Sequence, residues 1–144
     1  MVLPPATDRI AGDAVVQKGG IMSLVVRAFP VIAGKESVVR AFAKSLTTDR
    51  AADMAHFYTC FGVTYESWHL QETPSGLWVI AVTDIDEPTK RAEQYSASHA
   101  EFDEWFKAQV LELSGIDPTT QPLGPPTEEI FAWPTAGKGS SARS

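Results

Sequence analysis

The stretch TYESWHLQETPSGLWVIAVTDI, from Thr64 to Ile85, decides the fold. It reads as two β-strands, Thr64 to Glu72 and Leu77 to Ile85, joined by Thr73-Pro74-Ser75-Gly76. Pro presets φ and Gly accepts positive φ, so a short polar link that holds both is a tight turn. The flanks are rich in Trp, Tyr, Ile and Val, which pack well on a pleated, half-buried surface. Period two puts Tyr65, Ser67, His69 and Gln71 on one face of the first strand. Glu66, Trp68, Leu70 and Glu72 fall on the other.

Upstream of this hairpin the pattern is helical. Val38, Val39, Phe42 and Leu46 form one stripe over residues 36–46, and Met54, Phe57, Tyr58 and Phe61 form a second. Thr47-Thr48 separates them, and Thr48 is expected to cap the second segment with Asp49 in its first turn. Gly62 stands where a helix-terminating glycine belongs. Before the helices, Ser23 to Val31 reads as a strand, with Arg27 inserted among apolar residues and Pro30 marking an edge or an end. Downstream, Asp86-Glu87-Pro88 opens a helix with a carboxylate cap and an early Pro. Ser98-His99-Ala100-Glu101 reads as a capping box that restarts it. Phe102, Trp105, Phe106, Val110 and Leu113 make its buried stripe, and Gly115 closes it. A Pro-rich connection then leads to a short final strand, Thr127 to Trp133.

The order strand, helix, strand, strand, helix, strand is the ferredoxin-like α+β plan, βαββαβ. Right-handed crossovers place two segmented helices on one face of a four-stranded antiparallel sheet. The other face is then bare. If apolar, it is most simply covered by a second copy, so a homodimer through the open sheet face is expected. Residues 22–133 form the single domain. Residues 1–21, with Pro4-Pro5 and Gly19-Gly20, read as a flexible N-terminal extension, or as a leader before a natural start at Met22. Residues 134–144 read as a disordered tail.

Composition narrows the function. The net charge of −6 and the absence of a Lys/Arg cluster argue against a nucleic-acid surface. One cysteine, Cys60, excludes an internal disulfide frame and suits a reducing cytoplasm. No apolar run approaches the roughly 18–20 residues of a membrane span, and the N-terminus has no secretory pattern.

The element order, the hairpin and the long helix carrying Trp105-Phe106 resemble the dimeric α+β barrel superfamily over Ser23 to Trp133. The junction Gly62-Val63-Thr64-Tyr65-Glu66-Ser67-Trp68 is similar to that of small bacterial proteins of this kind. The group includes antibiotic-biosynthesis monooxygenase-like proteins, small polyketide cyclases, heme-degrading oxygenases and stress-response barrel proteins. The resemblance implies a small-molecule pocket with no bound cofactor. It leaves open a cyclase-like or monooxygenase-like enzyme acting on an aromatic or polyketide-like molecule, or a non-catalytic stress-response or accessory binding protein. The chain contains no Asn. The heme-degrading members and some cofactor-free oxygenases rely on a pocket Asn, so no residue here inherits that role.

His69 and Tyr65 are the candidate catalytic residues, His69 as a general base near neutrality and Tyr65 as a donor. The alternative is a solvent-facing row on an edge strand. Arg27, Gln71, Trp68 and Trp78 are the candidate substrate-binding residues. Arg27 offers a planar fork to a carboxylate or phenolate, or else pairs with Glu66, Glu72 or Glu129. His56 and Cys60 share a helix face, but no further ligand pair accompanies them. No metal is therefore expected, and Cys60 is read as a buried thiol beside a satisfied histidine.

Overall fold

The computed structural model describes residues 23–134. The N-terminal extension and residues 135–144 of the tail lie outside the described residues. By contacts the chain divides into two units. Residues 24–127 form one and carry every helix of the described residues and nearly all of their sheet; residue 23 and residues 128–134 are the described part of the other.

The elements are β1 (Ser23–Pro30), α1 (Glu36–Ser45), α2 (Ala51–Cys60), β2 (Val63–Thr73), β3 (Gly76–Ile85), α3 (Pro88–Ala97) and α4 (Glu101–Ser114). The fold is α+β, with a three-stranded open antiparallel sheet in the order β1-β3-β2. The hairpin forms as the sequence indicates, with Thr73 opposite Gly76 and Trp68 opposite Ala81. Its turn is held by Thr73, whose hydroxyl donates to the Gly76 carbonyl at 2.8 Å and accepts from the Ser75 amide at 3.1 Å. Gly76 has φ +113, which only glycine adopts without strain. At the far end of β1 the Val31 amide donates to the Leu77 carbonyl at 2.9 Å. Pro30 is the last residue of β1 and β1 is an edge strand, so both readings of that proline hold.

The core lies between one face of this sheet and α1, α2 and α4. Phe29 and Val79 from the sheet meet Val39, Phe42, Met54, Phe57, Phe102, Phe106, Val110 and Leu113 from the helices. Each helical stripe named above therefore faces inward. Phe57 is the hub: its ring lies 4.9 Å from Phe106 in a stacked pair and 5.0–5.7 Å from Tyr58, Phe61, Phe102 and Tyr95. Such pairs add about 0.5–1.5 kcal/mol each beyond the area they bury.

Three expected helix caps do not form. The Thr48 hydroxyl donates backward to the Lys44 carbonyl at 2.8 Å, so it ends α1 instead of opening α2. Arg50 is the N-cap residue of α2, with no side-chain cap. Its guanidinium lies over the Trp105 and Phe102 rings (4.3 and 4.9 Å) and pairs with Asp53 and Glu101, tying α2 to α4. Ser98 closes α3 by donating to the Tyr95 carbonyl at 2.8 Å, and Ala100 takes the N-cap position of α4. Before α3, Asp86 pairs with Arg91 and Glu87 supplies an uncapped N-cap at φ +45. In each case a nearer partner takes the hydroxyl or carboxylate. The glycine stops do hold: Gly62 has φ +71 and Gly115 φ +78.

The expected fourth strand, Thr127 to Trp133, is absent from the described residues. Residues 128–134 form neither strand nor helix, and Ile130, Phe131 and Trp133 are exposed. Within the larger unit, residues 124–127 approach the outer side of β1 by side chain and carbonyl. The Thr127 hydroxyl donates to the Val26 carbonyl at 2.6 Å, and a Cβ on Gly124 would collide with the Ala28 carbonyl. Pro125 and Pro126 lack the N–H donors that a ladder needs at this point. Among the described residues, no helix is long and apolar enough to cross a membrane.

Candidate functional site

The helix-covered face of the sheet leaves a cavity of about 490 Å³. Its floor is β1, β2 and β3 through Val25, Arg27, Glu66, Trp68 and Thr83. Phe57, Tyr58 and Phe61 of α2 and Phe106 of α4 wall it on one side. Arg91 and Tyr95 of α3 and the loop around Pro118 to Leu123 complete it. The volume lies within the range of small-molecule sites, and the lining is mostly apolar and aromatic.

Glu66 is the unusual member. The pleat that turns Trp68 and Leu70 toward the core turns this carboxyl inward with them. The Trp68 indole Nε1 donates to it at 2.6 Å. Burial raises its pKa above the ordinary carboxylate range, and hydrogen bonds from Trp68, Tyr58 and Thr83 act in the opposite sense. Burial and the neighbouring Glu66 also raise the Tyr58 phenol. Burial first, then Glu66 and Asp103, raise that of Tyr95. Both phenols therefore stay protonated as donors, and Glu66 is the buried carboxyl beside them.

One rim of the cavity is pinned by an ion pair. Arg91 Nε donates to Asp86 at 2.8 Å and Nη1 to the Cys60 carbonyl at 3.4 Å. The pair holds the Asp86 carboxyl below the ordinary range. It fits because Gly62 has no side chain: a Cβ there would collide with the Asp86 carboxylate and come within 2.6 Å of Arg91 Nε.

The six residues singled out from the sequence divide between the two faces of the sheet. Arg27 and Trp68 line the cavity. Tyr65, His69 and Gln71 lie on the opposite face of β2, exposed on an edge strand, with half-buried Trp78 opposite Gln71. The Ser67 hydroxyl and His69 Nε2 are 3.0 Å apart. His69 also borders a smaller recess of about 380 Å³ beside α1, with Arg40, Ala43 and Trp68. Within the single chain, His69 and Tyr65 thus share no cavity with Arg27.

Arg27 pairs with neither Glu66 nor Glu72: its Nη1 donates to the Gly124 carbonyl at 3.1 Å. Cys60 is exposed, not buried, with its Sγ 3.4 Å from His56 Nε2. No group of three or more His, Cys, Asp or Glu able to hold a metal occurs among the described residues. Glu66, Tyr58, Tyr95 and Arg91 were not marked as site residues by the sequence. Glu66 carried a signal, as a charged residue sharing a strand face with Trp68 and Leu70, and Tyr58 carried one as a member of the inward stripe of α2. Compared with known proteins, the chain matches no family model, no curated protein and no solved structure.

Proposed function

We propose that this protein binds a small aromatic or polyketide-like molecule in the cavity between sheet and helices, and that Glu66 moves a proton on it without a bound cofactor. The observation that carries this reading is an inward-facing carboxyl in an aromatic cavity of about 490 Å³. A carboxyl pushed up by burial is a better base near neutral pH than an ordinary one. Glu66 thus takes the catalytic part that the sequence assigned to His69. Tyr58 and Tyr95 would donate hydrogen bonds to oxygens of the ligand, and Trp68 would supply a flat wall. Cyclisation or oxygenation of an enolisable substrate both begin with such a proton transfer.

The ferredoxin-like plan and the dimeric α+β barrel belong to the same proposal. The strand order β1-β3-β2 with helices on one face is the first three-quarters of that plan. On the open face Leu24, Val26, Ile80 and Val82 share the surface with Trp78, Tyr65 and His69. A second copy seated there would cover them, and His69, Tyr65 and Gln71 would then lie between two sheets.

A second reading, a non-catalytic binding or accessory protein, is favoured by one observation. The Glu66 carboxyl already accepts from Trp68, Tyr58 and Thr83, as a purely structural group would. Native mass spectrometry of the purified protein should find a bound small molecule. Turnover of that molecule should vanish in Glu66→Gln and survive in His69→Ala. Turnover intact in Glu66→Gln would remove the catalytic reading, and binding without turnover in the wild type would leave the accessory one.

A further inference from the structure

The helices that wall the cavity are not held alike. α2 buries Met54 and Phe57, and α4 buries Phe102, Phe106, Val110 and Leu113 among others. α3 buries no residue at all, although Pro88, Arg91, Ala92 and Tyr95 belong to the lining. Its apolar anchor is Tyr95, whose ring stands edge-on to Phe57, Phe61 and Phe106 at 5.7, 5.9 and 6.3 Å. The rest of its hold is polar and sits near its ends. Arg91 pairs with Asp86 at 2.8 Å, and the Asp86 amide donates to the Gly62 carbonyl at 3.2 Å. At the other end the buried Lys107 of α4 donates from Nζ to the carbonyls of Ser96 and Ser98 at 3.2 and 2.8 Å. The same ammonium lies 5.3 Å from the Tyr95 ring centre. Both ends of α3 also have joints. Glu87 before it is the one non-glycine residue with positive φ among the described residues, and Ser98 and Ala100 after it are extended.

We propose that α3 is a lid, rolling outward about these joints to withdraw Tyr95 and open the cavity, with Lys107 as the latch that holds it shut. An element with few buried apolar contacts opens at a smaller free energy than the core around it. Opening strands a buried ammonium without its two carbonyl acceptors, which drives reclosure. Lids of this kind admit a molecule and then exclude water. The inference concerns access to the cavity and stands apart from the chemical role of Glu66.

The test places a thiol on the cavity floor, Thr83→Cys, in the full chain with the single native cysteine removed by Cys60→Ser. Labelling by N-ethylmaleimide is followed by intact mass, with exposed Cys60 of the wild type as the open reference. The floor thiol should react at least tenfold more slowly than Cys60. Adding Lys107→Met, which keeps the stem and loses the donors, should speed its labelling roughly tenfold, the scale of one charge-assisted hydrogen bond. Arg91→Gln should speed it less, since that pair is partly in water. Amide exchange should rise over residues 88–97 in Lys107→Met and stay unchanged over 51–60 and 101–114. A floor thiol that reacts as fast as Cys60 shows a cavity standing open and overturns the lid. Labelling unchanged in Lys107→Met overturns the latch, and exchange rising equally in all three helices overturns local opening. Should Lys107→Met not fold, unchanged labelling in Arg91→Gln overturns the lid instead. Should Thr83→Cys not fold, Val25→Cys on the same floor gives the same readings. Labelling needs no ligand, so none of these results bears on turnover in Glu66→Gln.

Discussion

The two faces of one hairpin show what a polar side chain means in two settings. On the open face of β2, Tyr65, His69 and Gln71 are exposed, and their chemistry is that of groups in water. On the covered face, one residue away, Glu66 shares a cavity lining with Trp68, Phe57 and Phe106, and burial raises its pKa. The open row looks more like an active site in the sequence, since it groups a histidine, a tyrosine and a serine. On the covered face the buried carboxyl is Glu66, and burial raises its pKa. Side-chain type alone therefore does not tell which face of the hairpin lines the larger cavity.

The contrast can be broken by substitution, and the largest effect belongs to the covered side. Phe57→Ala removes the aromatic hub and should cost about 3–5 kcal/mol in chemical denaturation. A loss below about 1 kcal/mol would mean that the helices do not pack on the sheet as described. Next comes Gly62→Ala, which forces a side chain into a left-handed φ of +71 and against the Asp86–Arg91 pair. The expected loss is about 1–3 kcal/mol, read in the same assay, and a neutral result would show that the rim is not so tightly built.

Glu66 sharpens the comparison through pH. Its folded pKa is raised, so its contribution to stability is whole below the unfolded carboxyl pKa and is lost as pH rises through the folded one. Glu66→Gln cannot ionise. Its melting temperature should therefore gain on the wild type as pH is raised from about 4 to 8, whereas a difference that stays constant would place Glu66 in water. The open face is probed by Ile80→Glu, opposite His69. If a second copy covers this face, sedimentation should show a dimer in the wild type and a monomer in the variant. Identical sedimentation of the two would leave the face uncovered. The smallest effect is expected from Tyr65→Ala, about 0.5 kcal/mol or less in a single chain with this residue 57% exposed. A larger loss that depends on protein concentration would point to the dimer.

Local signals were enough for much of the frame. Alternation, turn chemistry and the 3.6-residue stripes placed the hairpin, the first strand and the inward faces of α1, α2 and α4. These depend on neighbours within a few residues, as the Thr73 hydroxyl at the turn and Gly62 and Gly115 at the helix ends show. The caps were less legible, because Thr48 and Ser98 bond back to the preceding helix and Asp86 pairs with the Arg91 side chain. The fourth strand was misread for a similar reason. Residues 127–133 have strand composition, but Pro125 and Pro126 remove the donors that would begin a ladder.

By itself the sequence determined which residues alternate across the strands and which line up along the helices, because both periods follow from backbone geometry. It therefore placed Glu66 with Trp68 and Leu70, and His69 with Tyr65. Only the tertiary structure decided which of those faces the helices would cover. Coverage depends on where α2 and α4 come to rest across the sheet, and that is set by many distant apolar contacts at once. With coverage settled, Arg27 and Glu66 line one cavity, and His69 lies on the other face of the sheet.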